Sequence, residues 1–497
     1  MLNLQDTMTG EKRPLKTQEE NLAKVYICGP TVYDYAHLGH ARCFIVYDVL
    51  IRHLRASGMA VDYVRNITDV NDKILARAQE KGVSPTELAR AMTEAFWEDM
   101  AKLRNLKPDT EPKVSEHITG IIAMIETLIE KGHAYEAEGD VYFAVRTMED
   151  YGKLSHRKLD ANEAGASGRL DEKHAGRKKD PADFALWKGN PEDEWGWPSP
   201  WGHGRPGWHI ECSVMSTQHL GETLDLHGGG LDLVFPHHEN EIAQSECATG
   251  CTFSNHWMHN GFVEVNKEKM GKSLGNFFTA RELFAKHEPE GIRLWTMTVH
   301  YRSPLNLDWE EGETPEDTRF PSLEEAERRV AYLYTTRQRL DAIPPKRLID
   351  GGEPPAEKLS AFPAALRAAL DDDLNMPKGL AAMQEFLKEV NELCDRAQGK
   401  KGRVAKKAVA AAHAGFVALD AELGLGGQDP TAILTRIRDR RAKAAGVAPA
   451  EVEQKIADRV AARKAKDFEK ADTIRDELAE KGVELHDGPE GTTWTMQ

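Results

Sequence analysis

The 497-residue chain lacks any apolar run long enough to span a bilayer. Its first residues, Met1 to Glu20, are polar and mixed in charge, without the apolar centre of a secretory leader. A cytoplasmic protein is expected. Cysteine is scarce: six residues, at 28, 43, 212, 247, 251 and 394, lie scattered. A secreted disulfide framework would be denser. In a reducing compartment the question becomes which cysteines bind metal or substrate. Excess positive charge is also missing. Lys+Arg total 65 against 81 Asp+Glu, a net charge of −16, which argues against general adhesion to nucleic acid. Neither internal repeats nor strong low-complexity segments occur.

What is present suits a soluble globular protein, with 40% hydrophobic and 29% charged residues. The length exceeds one ordinary core, so three or four domains are expected. Lys24 to Cys28 reads as a buried strand ended by Gly29-Pro30. Phe44, Val46, Tyr47, Leu50, Ile51 and Leu54 recur at helical spacing, predicting a helix from His40 to Ser57, stopped by Gly58. A strand over Val61–Ile67 and a helix over Asp72–Lys81 follow. This β-α-β order predicts a Rossmann-type, doubly wound parallel sheet. Ligands of such sheets bind beyond the strands' carboxyl ends, where Cys28 and the residues after Ile67 fall.

Ser155 to Asp183 is charged, with interspersed Gly and Ala, and belongs to an insertion. Glu192 to Trp208, rich in Trp, Gly and Pro, reads as an ordered loop. Helices are expected from Trp208 to His219 and from His237 to about Cys247. From Pro321 onward helical periodicity dominates, in Leu323–Leu340, Ala361–Leu370 and Pro377–Gln398. Gly424 to Pro430 reads as a linker, Ala450 to Lys481 as a helical pair, and Val483 to Trp494 as a small hairpin. Gln398 to Lys407 carries five basic residues and no acid. That run is either a solvated face or a patch for a polyanion.

Two motifs carry nucleotide chemistry. His37-Leu38-Gly39-His40 sits between a strand and a helix. Gly39 lets backbone approach a ligand, the helix start favours phosphate, and two imidazoles can donate to charge developing on the α-phosphate. Alone, the motif fits a helix cap as well. Lys269-Met270-Gly271-Lys272-Ser273 is a Gly-containing loop whose lysines can neutralise a leaving pyrophosphate. Alone, it fits any basic turn. In this order, with 232 positions from His40 to Lys272, the pair resembles the signatures of class I aminoacyl-tRNA synthetases. Four further segments resemble the cysteinyl-tRNA synthetase family: Cys28 to Asp34, Asn66 to Asp69, Gly207 to Ser213 and Phe235 to Glu241. So does the tail, from Lys466-Asp467-Phe468 through Trp494. Two positions depart from the family pattern. Gly271 stands where Ser is usual, and Asn71 where Asp is common.

The resemblance implies a zinc ion, one per chain, held by Cys28, Cys212, His237 and Glu241. By sequence alone His237 and Glu241 share a helix face at i and i+4, and His238 is a competitor. Rejecting serine needs about 10⁴-fold discrimination, roughly 5.5 kcal/mol, whereas shape alone supplies about 1–3 kcal/mol. Direct thiolate ligation would close that gap and remove the need for an editing domain. Four protein ligands leave open whether the ion becomes five-coordinate with substrate.

The implied reaction activates L-cysteine with ATP, accompanied by Mg²⁺, and transfers cysteine to the 3′ end of tRNA for cysteine. His37, His40, Lys269 and Lys272 are the expected catalytic residues. Gly39, Gly229, Asp232 and Ser273 join His37, His40 and Lys272 around ATP. Cys28, Gly29, Thr31, Thr68 and Trp208 are expected around the amino acid, and Trp494 against the tRNA. No side-chain general base is evident, which leaves substrate phosphate to serve. The expected organisation is a catalytic domain over 1–320, with an insertion at about 120–205 and a stem-contact region at about 260–320. A helical tRNA-binding domain over 321–423 and an α+β anticodon domain over 431–497 follow. A monomer without membrane contact is expected. A cysteine:sugar-amine ligase would share the catalytic half but lack residues 430–497. A degenerate RNA-binding relative would have lost the signature residues.

Overall fold

The computed structural model describes residues 2–158, 175–271, 274–312, 314, 317–351, 355–488 and 491–496. A four-stranded parallel sheet anchors the first half. Its spatial order is Trp257–Asn260, Leu226–Gly230, Leu22–Ile27 and Ala60–Arg65. Tyr26 pairs with Val64 on one side and His227 on the other, and His227 pairs with Trp257. Side chains alternate between two cores, as the strand period demands. Val25 and Ile27 join the core that holds the helix Leu38–Ala56. Tyr26 and Cys28 join the core that holds the helix Trp208–Leu220. Helices on both faces make the sheet doubly wound. The chain order reverses between Leu22–Ile27 and Leu226–Gly230, so the carboxyl ends of these two strands form the switch-point crevice.

The insertion comprises the helix Ile118–Glu130 and an antiparallel sheet of Ala134–Ala137, Asp140–Phe143, Phe184–Gly189 and Gly204–Pro206. Gly204–Pro206 lies within the expected loop but is a strand, because Trp187 to Gly189 offer it an open edge. Of the expected Ser155–Asp183 segment, residues 159–174 lie outside the described residues. The helix expected at His237 begins at Glu239 and runs to Thr249. A wider helical turn over Val234–His238 precedes it.

Four helices follow: Pro321–Asp341, Glu357–Asp371, Met376–Gln398 and Lys406–Leu423. The fourth is not among the sequence expectations. It packs closely because Gly415 leaves room for Phe386; a Cβ there would lie 2.3 Å from that ring. The expected linker Gly424–Pro430 is instead a packed wedge. Leu425 is fully buried, the Gly426 amide donates to Glu290 Oε1 at 2.6 Å, and the Gly426 carbonyl accepts from Arg337. Arg293 ties this wedge to the helix Leu38–Ala56. Wholly buried, it donates to the carbonyls of Leu423 and Leu103 and pairs with Asp48 of the helix Leu38–Ala56.

A separate small core contains Val452, Ile456, Leu478, Val483, Trp494 and Met496. Two helices, Pro449–Lys464 and Phe468–Glu480, pack beside the expected hairpin, Val483–Gly488 with Gly491–Met496. Helix Pro430–Ala444 straddles both bodies. Ile433 and Ile437 belong to the main core and Ala442 to the small one. The changeover therefore falls inside a helix. No helix among the described residues is long and apolar enough to cross a membrane.

Candidate active site and metal centre

Cys28 follows the strand Leu22–Ile27, and Cys212 lies in the helix Trp208–Leu220 packed on that sheet. His237 lies in the wide turn, and Glu241 lies in the first turn of the next helix. All four are buried, and their donor atoms lie within 4.8 Å of one another. Cys28 Sγ is 3.8 Å from Cys212 Sγ and 3.4 Å from Glu241 Oε1. His237 Nε2 is 2.9 Å from the same carboxylate oxygen. A second quartet is equally compact: Cys28, His227, His238 and Glu241. His227 Nε2 approaches Glu241 Oε2 at 2.7 Å, and His238 Nε2 approaches Cys28 Sγ at 3.3 Å. The expected competitor His238 is thus part of the centre.

The groups set one another's protonation. The hydrogen bond with Cys28 draws the Cys212 thiol down to about 6, against the opposing effect of burial. Burial pushes the Cys28 thiol up, and Cys212 adds to the push. The pair thus favours one thiolate and one thiol. Burial disfavours a charged His237, but Glu241 and Cys212 outweigh it and raise His237 to about 10. Burial also opposes the charge on Glu241, yet His227 and His237 hold that carboxyl well below the usual range. Burial holds His238 well below the usual imidazole range. An anionic carboxylate, an acidic thiol, a second thiol and imidazoles form a borderline-soft donor set.

Around the centre, Trp208 stacks on His237 with ring centroids 4.2 Å apart. Thr31 and Thr68 pair as a parallel bridge. Asn66 links these parts. Its Oδ1 accepts from the Gly29 amide at 2.8 Å and lies 3.8 Å from Cys212 Sγ, and its Nδ2 donates to Thr68 Oγ1 at 3.1 Å. Only glycine fits at position 29, because a Cβ would lie 1.6 Å from the Asn66 carbonyl oxygen.

At the adjoining helix start, His37 and His40 cap Leu38–Ala56 reciprocally. Each Nδ1 accepts the other residue's backbone N–H at 3.3 Å, and the rings stack at 3.6 Å. Burial and the neighbouring His37 hold His40 well below the usual imidazole range. With Nδ1 accepting, a neutral ring carries its proton on Nε2. The second signature lies beside the first. The Leu38 amide donates to the Phe278 carbonyl, and the Ala280 amide to the Ala36 carbonyl. The loop start is pinned where the Gly271 amide donates to Asn276 Oδ1 at 2.8 Å and Asn276 Nδ2 donates to the Lys269 carbonyl at 3.2 Å. Lys269 is exposed. Lys272 and Ser273 lie outside the described residues. Gly229 donates to Tyr47, and Asp232 lies exposed just past the strand Leu226–Gly230.

Trp494, expected against the tRNA, sits inside the small C-terminal core. Trp494 is only 3% exposed, its indole N–H donates to Glu453 at 2.7 Å, and the Arg438 guanidinium lies 4.3 Å over its ring. It is a core residue, since the hairpin needs a large apolar anchor. Arg463 and Arg475 pair with Asp487 and Asp472. His227 and Asn66 are absent from the expected site. Position gives the available signals: His227 directly precedes three glycines, and Asn66 directly follows a predicted strand. Asn71 has a plain role as N-cap of Asp72–Lys81, accepting from the Lys73 amide at 3.1 Å. Asp and Asn cap equally well, so the departure there is conservative.

Family models place these residues among known proteins. The tRNA synthetases class I (C) catalytic domain matches residues 14–314, the DALR domain 365–426, and the cysteinyl-tRNA ligase anticodon binding domain 446–494. A cysteine–tRNA ligase of Anaeromyxobacter dehalogenans (strain 2CP-C) is 50% identical over 502 residues, covering 100% of both chains. One from Pelobacter propionicus (strain DSM 2379 / NBRC 103807 / OttBd1) is 44% identical over 507 residues, again covering 100% of both. Among solved structures, a Mycobacterium tuberculosis methionyl-tRNA synthetase in complex with methionyl-adenylate superposes with a TM-score of 0.60 at 14% identity. That match covers 86% of this chain and 95% of the other, and it shows the shared fold.

Proposed function

The chain belongs to the class I cysteine–tRNA ligase family, and from that premise we propose how its residues divide the work. The reaction is the ATP-driven ligation of cysteine to tRNA. One observation carries the assignment of the amino-acid pocket: two thiols, an imidazole and a carboxylate converge at the switch point, beside the His37–His40 helix start.

We assign zinc, one per chain, to Cys28, Cys212, His237 and Glu241; bound there, it would supply thiolate ligation that a serine hydroxyl cannot match at neutral pH. The acidic Cys212 thiol and the ionised Glu241 suit that ion. His227 and His238 then act as supports. His227 holds the far carboxylate oxygen of Glu241, while His238 Nδ1 is engaged by His259 Nε2 at 2.8 Å. Trp208 walls the pocket beside His237. Gly29, Thr31 and Thr68 line the opposite side.

His37 and His40 present Nε2–H donors to the α-phosphate of ATP. Burial keeps His40 below the usual imidazole range, so it stabilises developing charge as a hydrogen-bond donor without a proton transfer. Gly229 and Asp232 face the adenosine. Lys269, with Lys272 and Ser273 beyond the described residues, meets the leaving pyrophosphate, and Mg²⁺ enters with ATP. The catalytic part spans residues 1–320 with its insertion. The helical part spans 321–423 with the packed wedge, and the RNA-facing C-terminal part spans 431–497. In that part Phe468, 61% exposed, takes the stacking role expected of Trp494. Exposed Lys464, Lys466 and Lys470 surround it in sequence and have no carboxylate partner among the described residues. The protein works as a monomer.

The test is ATP–pyrophosphate exchange with cysteine against serine, with bound zinc measured on the same sample, followed by charging of tRNA for cysteine. Cysteine-dependent exchange with stoichiometric zinc is expected. Equal exchange with serine refutes the pocket assignment.

A further inference from the structure

The basic run Gln398–Lys407 connects the helices Met376–Gln398 and Lys406–Leu423. In the fold a second basic segment lies beside it. After the helix Pro321–Asp341, Lys346 and Arg347 close a short turn over Pro345–Arg347. A parallel strand pair then fixes the two segments side by side. Leu348 lies opposite Val404, and Ile349 opposite Ala405. Val404 is buried in the main core, which anchors the pair. The Arg347 guanidinium donates to the Gly402 carbonyl at 3.1 Å. Only glycine fits at 402, because a Cβ would lie 1.9 Å from the Arg396 carbonyl oxygen.

The result is an open cleft of about 460 Å³ lined by Lys346, Arg347, Lys401 and Arg403. Lys346, Lys401 and Arg403 are exposed. Among the described residues no carboxylate pairs with any of the four. Asp350, close by in sequence, pairs instead with Lys406 at 2.7 Å. Elsewhere in these helices cations are matched: Arg339 pairs with Asp395, and Lys358 with Glu385. Four like charges around one opening repel one another. In a chain of net charge −16, this local reversal of sign marks a surface for a polyanion. The cations stand on two separate segments along an open edge, which suits phosphates in series. Arginine offers a planar fork and lysine a point charge. No aromatic ring lines the cleft, so it is equipped to grip backbone and not to stack on bases.

We propose that this cleft binds the phosphate backbone of tRNA, as a sequence-independent grip in the helical part, separate from the C-terminal part. It rests on the reading that the chain charges tRNA. It gives the basic run Gln398–Lys407 a partner and names the residues that meet it.

The test is binding of a transcript of tRNA for cysteine to the full-length protein across a salt series. The variant is Lys401→Gln with Arg403→Gln; both positions are exposed, and Arg347, which holds Gly402, is left in place. Two lost phosphate contacts should weaken binding about 15- to 30-fold at about 0.15 M salt and make the log–log salt slope shallower by about 1.4–1.8. Lys401→Arg with Arg403→Lys, which keeps the charge, should stay within about threefold of the parent protein. ATP–pyrophosphate exchange should be unchanged in both. The fold-loss should be the same for a transcript with an altered anticodon. Unchanged affinity or an unchanged salt slope would overturn the proposal. Equal loss of exchange would indicate a structural role and overturn it, and a loss confined to the cognate anticodon would overturn it as base reading. Binding of the parent protein, but not the variant, to vesicles of equal phosphatidylcholine and phosphatidylserine, with tRNA affinity unchanged, would assign the cleft to lipid instead. If the parent protein neither binds nor charges the transcript, the tRNA reading fails and the proposal falls with it.

Discussion

Replacing His227 with phenylalanine removes one interaction and little else. The ring is stacked on Trp257 at 4.6 Å and meets Tyr26 and Phe253 edge-on at 5.2 and 5.5 Å, contacts that a phenyl ring preserves. What disappears is the donor 2.7 Å from Glu241 Oε2, in a place where both side chains are fully buried. Among the described residues His227 Nδ1 has no partner, so Nε2 is the nitrogen that donates to the carboxylate. Losing a hydrogen bond to a buried charge costs about 1.5–3 kcal/mol, or roughly 10- to 100-fold in zinc affinity. Competition against a chromophoric zinc chelator would measure it. His227→Gln, which keeps an N–H donor, should recover most of the loss. Affinity unchanged within about twofold would refute the claim that His227 orients Glu241. The experiment also separates the two quartets. If His227→Phe abolishes zinc binding while Cys212→Ser retains it, the metal belongs to Cys28, His227, His238 and Glu241.

Three further outcomes are expected. Phe468→Ala should raise the KM for tRNA about 10-fold and leave ATP–pyrophosphate exchange unchanged; an equal effect on exchange would place the residue in the fold rather than at the RNA. Asn71→Asp should change stability by less than about 0.5 kcal/mol in urea unfolding, since both side chains cap; a larger loss would mean that Asn71 does more than cap. Burial, with Arg440 close by, lowers His287 to about 4 from 6.5. The folded state therefore resists protonation of this ring. The stability His287 contributes is complete above pH 6.5 and is lost as pH falls toward 4, by roughly 3 kcal/mol. His287→Leu should flatten that part of the stability–pH curve, and an unaltered curve would refute the argument.

Local patterns were the readable part of this chain. The Val25-Tyr26-Ile27 strand, the periodic helix after His40 and the Trp208 helix follow from spacing and breakers, and their cores lie where alternation puts them. The metal centre is different. Cys28 and Cys212 are 184 positions apart, and only sheet topology brings them together. Family resemblance supplied that pairing; spacing could not. His227 is invisible for a related reason. A lone histidine before three glycines has no periodicity, and its place is set by a register that aligns it with Tyr26 and Trp257. The wedge Gly424–Pro430 has linker composition, yet Arg337 and Glu290, far away in sequence, bind its backbone. Trp494 shows the converse ambiguity, because an aromatic in a short terminal hairpin suits a binding platform and a small core equally well.

The reciprocal cap between His37 and His40 changes how mutants at these positions should be interpreted. The nitrogens that hold the first turn together belong to the rings whose opposite nitrogens we assign to the phosphate. Truncating either histidine therefore also frays the helix start, by about 1 kcal/mol. A drop in turnover there mixes lost chemistry with a loosened scaffold. Asparagine at position 37 would keep the cap while withdrawing the distal N–H, so comparison with alanine would apportion the two effects.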